Sequence, residues 1–413
     1  MSRKKGSALI SKCQKYLKAL CLDIPERPTG SDGNRQATSY FIDQISRYGW
    51  DVHSTRFSAM DWEEGGAELI IGGREIEAFP SPFSLGCELE GDLVAAGNLG
   101  ELMAVECRGR ILLLHSDLTK EQLMPKNFVF YNPPEHQEII QTLEEKNPAA
   151  ILCATSRNAA LAGGVYPFPF IEDGDFNIPS LYLTEEIGAE LIDMEGERVD
   201  LKSYAARKKR DGFNVVAKKG RNPNQRIVVT AHIDAKKGTP GAIDNGTGVI
   251  VLLLLAELLA DYEGTPVIEL VPFNGEDYFA ASGQMLYLEQ NTDKFSQIIL
   301  NINIDGAGYH QGPSAFSLFD LPDALLQILK DVIEGSENII EGIPWYQGDH
   351  SIFLQQGVPA VAVSSKWFID HVDQQEITHT PKDHPDIVDC HKVVEVSLAI
   401  QKIIQMIAET RSG

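Results

Sequence analysis

Six side chains with metal-binding chemistry punctuate one third of this chain: His232, Asp244, Glu276, Asp277, Asp305 and His379. Each falls at the end of an apolar run or in the loop that follows it. Two imidazoles with several carboxylates, and no thiolate among them, suit Zn²⁺, with Mn²⁺ or Co²⁺ as substitutes. Six donors exceed what a mononuclear catalytic zinc needs, so a pair of ions about 3.5–4 Å apart is the natural arrangement. One carboxylate would then bridge the ions and another would stay free as a base. Such a site activates water and polarises a carbonyl, which is amide hydrolysis without a protein nucleophile. Rival hydrolase signatures are missing. There is no GxSxG elbow and no HExxH helix, and HTPKDH cannot be a helical zinc pair because Pro381 separates its histidines.

The elements that must carry these donors can be read from the pattern. RIVVTAHIDAKKGTPGAIDNGTGVIVLLLLAELLADYEGTPVIELVPFNGED (Arg226–Asp277) alternates strand, loop, buried helix, strand and loop. Its first strand, Arg226–Ala231, runs into His232 and Asp234, and its second, Pro266–Phe273, into Glu276 and Asp277. A third, Gln297–Ile304, ends at Asp305. Strand–helix–strand units build parallel sheets, and such sheets take ligands outside the carboxyl ends of their strands. Helices are expected at Ser7–Leu22, in the stretch from Ala37 to Trp50, at Pro322–Glu334 and at His391–Glu409. Between about Arg56 and Tyr204 the texture changes to short apolar runs (AELIIGG, EGDLVAAG, GRILLLHSD, AAILCATS, IPSLYLT) split by Gly, Pro and Asn. That is the pattern of a smaller, strand-rich module. No catalytic constellation stands out in it, and His53, His115, Asp117 and His136 read as structural. Lys202–Arg210 reads as a solvated linker.

With these motifs in view, the chain resembles the aminopeptidase Y type of co-catalytic zinc exopeptidases. AHID, GAIDNGTG, NGED, NIDG and THTPKD carry the resemblance in order, supported by GDHSIFLQQGVPA and ERPTGSDGNRQA. The module with GRILLL and IPSLYLT looks like the protease-associated domain that some members carry as an insertion. The resemblance implies an α/β fold, a three-layer α/β/α sandwich with a mainly parallel central sheet. Residues 1–55 and 205–413 would form the catalytic domain, with 56–204 inserted. It further implies two Zn²⁺ bridged by Asp244, with His232 and Asp305 completing one ion and Asp277 and His379 the other. Glu276 would be the general base. Asp234 would support His232 or its neighbours, while Tyr346, Asp349 and His350 would line the substrate. The expected activity is zinc-dependent aminopeptidase action, in which a two-metal-bound hydroxide cleaves the N-terminal peptide bond of peptides with a free N-terminus. A carboxypeptidase, a glutaminyl-cyclase-like transferase and an inactive binding protein are the alternatives on the same scaffold. The family usually has two glutamates where this chain has Glu276-Asp277, and its glycine-serine step appears here as Ala281-Ser282-Gly283.

Composition is ordinary for a soluble globular protein. At 413 residues, 43% hydrophobic and 23% charged, the chain supports two domains. A formal net charge of −23 argues against nucleic acid or an anionic membrane as partner. The opening MSRKKGSALISKCQKYLKAL lacks an apolar signal-peptide core, and the run Val249–Ala260 is too short to span a bilayer. Six scattered cysteines without a CxxC read as reduced thiols, and the expected location is cytoplasmic.

Overall fold

The computed structural model describes residues 3–24, 26–126, 128, 132–155, 171–277, 282–372 and 375–411. The chain divides into two compact units, one made of Met1–Ser58 with Asp211–Gly413 and the other of Ala59–Arg210. It is a mixed α/β protein with two eight-stranded mixed sheets.

The first unit begins with α1 (Arg3–Lys18) and α2 (Asp32–Ser46), the latter capped by the Ser31 hydroxyl accepting from the Asn34 N–H. The long strand β1 (Asp51–Glu63) then leads to the second unit. There the chain forms β2 (Ala67–Ile71), β3 (Arg74–Glu75), β4 (Phe79–Pro80), β5 (Cys87–Ala96), α3 (Leu99–Ala104), β6 (Ile111–Leu114) and α4 (Pro134–Lys146). After these come β7 (Ala150–Thr155), β8 (Ser180–Thr184), α5 (Glu185–Ile192) and β9 (Arg198–Ser203). The sheet order is β3-β2-β9-β5-β6-β7-β8-β4. Leu112 and Leu114 of β6 belong to one apolar cluster and Ile111 and Leu113 to another, so this strand is apolar throughout and its two faces feed separate cores.

The chain returns through β10 (Ala206–Lys219). Lys202–Arg210 is therefore strand, not the solvated linker its charge suggested. The basic residues of β9 alternate with buried positions, whereas the basic residues 207–210 are consecutive in β10, where Arg207 donates to the Phe83 and Phe176 carbonyls and Lys208 pairs with Glu63. A run of basic residues looks like a linker by composition, yet long Arg and Lys side chains can pair at the surface while their backbone stays in the strand.

The first unit continues with β11 (Arg226–His232), α6 (Thr247–Leu258), β12 (Val267–Phe273), α7 (Ser282–Asn291) and β13 (Ile298–Ile304). It ends with β14 (Ser314–Phe319), α8 (Asp323–Glu334), β15 (Ile339–Gly342), α9 (His350–Leu354), β16 (Ala360–Ser365), α10 (Lys366–His371) and α11 (Cys390–Arg411). The sheet order is β1-β10-β12-β11-β13-β16-β14-β15. β12, β11, β13 and β16 are parallel neighbours at its centre, while β10 and β14 run antiparallel to theirs. Register brings His232 opposite Phe273 and Thr230 opposite Asn303, so the three central strands end level with one another.

Helix α6 explains why those ends stay fixed. Its residues Thr247 to Ala256 are all buried, and it packs on α1, α11, β11 and β12. A helix apolar on every side can sit only inside a core. Helix α11 offers Val393, Val396, Ile400, Ile403, Ile404 and Ile407 to the same cluster. Among the described residues no helix is long and apolar enough to cross a membrane.

Candidate metal centre

His232 closes β11, Asp305 follows β13 directly, and Glu276 and Asp277 lie three and four residues beyond the end of β12. Asp244 comes from the loop ahead of α6. His379 comes from the stretch between α10 and α11, where it takes a left-handed backbone (φ +62°). For a residue with a Cβ that conformation costs about 1 kcal/mol, so the surrounding structure has to impose it.

These six side chains meet. Asp244 lies between the two imidazoles, with Oδ1 3.1 Å from His232 Nε2 and Oδ2 2.9 Å from His379 Nε2. Asp277 Oδ1 is 3.1 Å from the same His379 nitrogen. Asp305 Oδ1 lies 3.7 Å and Glu276 Oε2 3.9 Å from His232 Nε2. His232, Asp244 and Asp277 each offer a ligand atom close enough to share one metal ion.

The protonation states show how much this rim lacks positive charge. Burial alone would lower the His379 pKa, but Asp277 and Asp244 outweigh it and push it up to about 10. His232 is likewise held well above its ordinary value, where burial opposes and Glu276, Asp244 and Asp305 prevail. Burial would raise Asp244, yet the two imidazoles hold it below the usual carboxylate range. Glu276 is raised well above that range by burial, by Asp277 and by Asp305, against the pull of His232. Burial and neighbouring carboxylates therefore force protons onto groups that would otherwise hold a cation. His232 Nε2 and Asp277 Oδ2 are buried without a hydrogen-bond partner. Buried polar atoms rarely stay unpaired, and divalent cations held at this rim would satisfy them. The residues fit the metal.

The supporting contacts are specific. His232 Nδ1 lies 3.2 Å from the Asp234 carbonyl oxygen, so Nδ1–H donates there and Nε2 faces the carboxylates. The Asp234 carboxylate stands 3.8 Å from His232 and instead accepts the N–H groups of Asp277 at 3.0 Å and Glu276 at 3.4 Å. It thus joins the β11 and β12 ends. Asp349 is fully buried, accepts from Gln284, and is held well above the ordinary range by burial and by Asp305. His350 shares a hydrogen bond of 2.8 Å with the Trp345 carbonyl, packs against the Phe319 and Trp345 rings, and is driven down to about 4 by burial. It stays neutral and structural in its contacts. Tyr346 is 67% exposed, with its ring against Phe319. Ala281 lies outside the described residues. Gly283 is tight: a Cβ there would meet the Asn274 carbonyl oxygen at 2.4 Å.

Several residues that hold this site were not singled out by their chemistry in the sequence. Asn34 Nδ2 donates to Asn274 Oδ1 at 2.5 Å, tying α2 to the turn before Glu276. Asp383 and Arg27 grip the loop that carries Asp244. Their signal was only that they sit inside THTPKD and ERPTG.

An open, twisted sheet with imidazoles and carboxylates gathered at its carboxyl edge places a candidate metal site where sheets of this kind take their ligands. Residues 214–404, a little under half of the chain, match the profile of Peptidase family M28. The Aspergillus oryzae protein described as probable leucine aminopeptidase 2 is 23% identical over 367 residues, covering 86% of this chain and 64% of that one. The chain thus spans somewhat less than two thirds of that relative's length. The aminopeptidase from Aneurinibacillus sp. strain AM-1 superposes with a TM-score of 0.72 at 18% identity, covering 97% of this chain and 93% of that one. BSAP, a zinc aminopeptidase from Bacillus subtilis, superposes with a TM-score of 0.73 at 18% identity, covering 96% and 94%. At such identity the likeness of the two structures is one of fold.

Proposed function

We propose that this chain is an aminopeptidase that holds two zinc ions and releases the N-terminal residue of peptides. The observation that carries the reading is Asp244, each of whose oxygens faces a different imidazole at hydrogen-bond distance. A carboxylate so placed is suited to bridge two ions. His232 and Asp305 would complete one, and Asp277 and His379 the other. Bound zinc supplies Lewis acidity, lowering the pKa of water and polarising the scissile carbonyl.

The chain's own residues do the rest. Glu276 Oε2, left without a ligand's place in that set, accepts the water proton and returns it to the leaving amine. Asp234 holds Glu276 and Asp277 through their backbone N–H groups and is a positioning residue. Asp277 is one methylene shorter than a glutamate, so it would have to hold an ion with a shorter reach from the backbone. The carboxylate-rich rim favours a substrate α-amine, and the names of the relatives point the same way. Of the residues expected to line the substrate, exposed Tyr346 would reach it, while buried Asp349 and His350 would support the rim from behind. The first unit then forms a three-layer α/β/α catalytic domain, and Ala59–Arg210 a protease-associated module.

The test is direct. Purified protein should carry two zinc ions per chain and hydrolyse aminoacyl-anilides but not N-blocked peptides, with a chelator abolishing turnover. A chain without zinc and without chelator-sensitive hydrolysis would overturn the reading.

A further inference from the structure

The loop that delivers Asp244 has no helical or ladder support where it is needed. Asp244 (φ −116°, ψ 87°) and Asn245 (φ −133°, ψ 43°) are both non-helical. Two inaccessible charged side chains hold this backbone instead. Arg27, 1% exposed, donates from Nη1 to the Pro240 carbonyl at 2.9 Å and from Nη2 to the Gly241 carbonyl at 2.8 Å. Its Nε reaches the Ile233 carbonyl at 3.1 Å, and Nη1 also reaches Leu20 O at 2.6 Å. Asp383, with no exposed surface, accepts from the N–H groups of the same loop. Ile243 donates to Oδ1 at 2.7 Å and Asp244 to Oδ2 at 3.0 Å, while the Asp383 backbone carbonyl accepts from Ala242 at 3.2 Å.

The two side chains therefore act on Pro240, Gly241, Ile243 and Asp244, four of five consecutive residues, with matched polarity. Carbonyls face the guanidinium, and amides face the carboxylate. Gly241 permits this approach: its φ is +56°, and a Cβ there would lie 2.7 Å from both Arg27 Nη2 and the Asp244 carbonyl oxygen. A neutral isostere would not serve equally. An asparagine at 383 could accept one of the two side-chain N–H bonds, while its own NH₂ would oppose the other.

We infer that Arg27 and Asp383 are positioning residues, a two-sided clamp on the Pro240–Asp244 backbone that sets the Asp244 carboxylate between the two imidazoles. Arg27 comes from the N-terminal segment and Asp383 from the C-terminal one. The clamp thus makes the bridging ligand depend on both ends of the catalytic unit, and the inference rests on the two-ion reading of the site.

Asp383→Asn tests it. The variant should fold, as judged by circular dichroism, yet bind one zinc at least about tenfold more weakly in chelator competition. Its Co²⁺-loaded form should show a changed visible spectrum, and kcat should fall while KM stays nearly constant, because no substrate contact is altered. Wild-type affinity for both ions with an unchanged Co²⁺ spectrum would overturn the clamp. Should the variant not fold, hydrogen exchange on the metal-free wild-type protein decides. The Ile243 and Asp244 amides should exchange at least about a hundredfold more slowly than open-loop amides, and rapid exchange at both would overturn the proposal. If the wild-type protein binds no divalent ion, the two-ion reading fails, whereas the exchange result still reports on the clamp by itself.

Discussion

At the scale of single residues, the centre is a contest between burial and charge. Carboxylates crowd around two imidazoles whose protons are retained because nothing else neutralises the rim. A metal ion must displace those protons. With His379 raised to about 10 and His232 raised as well, zinc uptake by the metal-free protein at pH 7 should release protons. Calorimetry in two buffers of different ionisation enthalpy would count them, and apparent affinity should climb with pH towards about 10. The stability that the metal-free fold draws from protonated His379 has the opposite slope. It is complete below the ordinary histidine pKa and lost as pH rises through about 10. Glu276 plays a different part. If it is the spare carboxylate of the proposed two-ion site, Glu276→Gln should keep both ions while kcat falls by about a thousandfold. Metal content measured beside turnover separates loss of a base from loss of a ligand.

At the scale of elements, the site depends on how closely α6 packs behind it. Gly248, in the first turn of α6, touches two parts of the centre. A Cβ there would stand 2.3 Å from Asn245 Oδ1 and 2.7 Å from the Ile304 carbonyl oxygen. Asn245 Nδ2 donates to that same carbonyl at 2.8 Å, binding the Asp244 loop to the end of β13. Gly248→Ala should therefore loosen the loop and lower stability by about 1–3 kcal/mol, with weaker zinc binding as the companion effect. Denaturant unfolding and a zinc titration would both register it. Wild-type values in the two assays would show that the loop can shift without cost.

At the scale of the whole molecule, the chain leaves the first unit after Ser58 and returns at Asp211. The intervening unit has its own eight-stranded sheet and two apolar clusters, built on β5, β6, β7 and β8. A segment with its own core is expected to fold alone. Residues 59–210 expressed separately should unfold cooperatively on heating, as followed by circular dichroism; a non-cooperative melt would show that its sheet needs the rest of the chain.

Much of this was legible in the residues alone, because burial writes itself into periodicity. The strands before His232, Glu276 and Asp305 were apparent as apolar runs, and observed β11, β12 and β13 start or stop within a residue or so of the reading. The whole of α6 and the buried side of α11 were apparent for the same reason. Elements with polar outer faces escaped notice. β1 and β10 carry many exposed or half-buried residues and so lack the apolar run that marks a central strand. The donor types, too, were plain, since metal chemistry needs imidazole and carboxylate whatever their order in the chain. What only the tertiary structure decided is which neighbours hold those donors. Arg27 and Asp383 look ordinary in sequence, because a hydrogen bond to someone else's backbone leaves no trace in the residue types it joins. Asp234 likewise serves the Glu276–Asp277 backbone rather than the adjacent imidazole, a choice made by strand register and not by sequence distance.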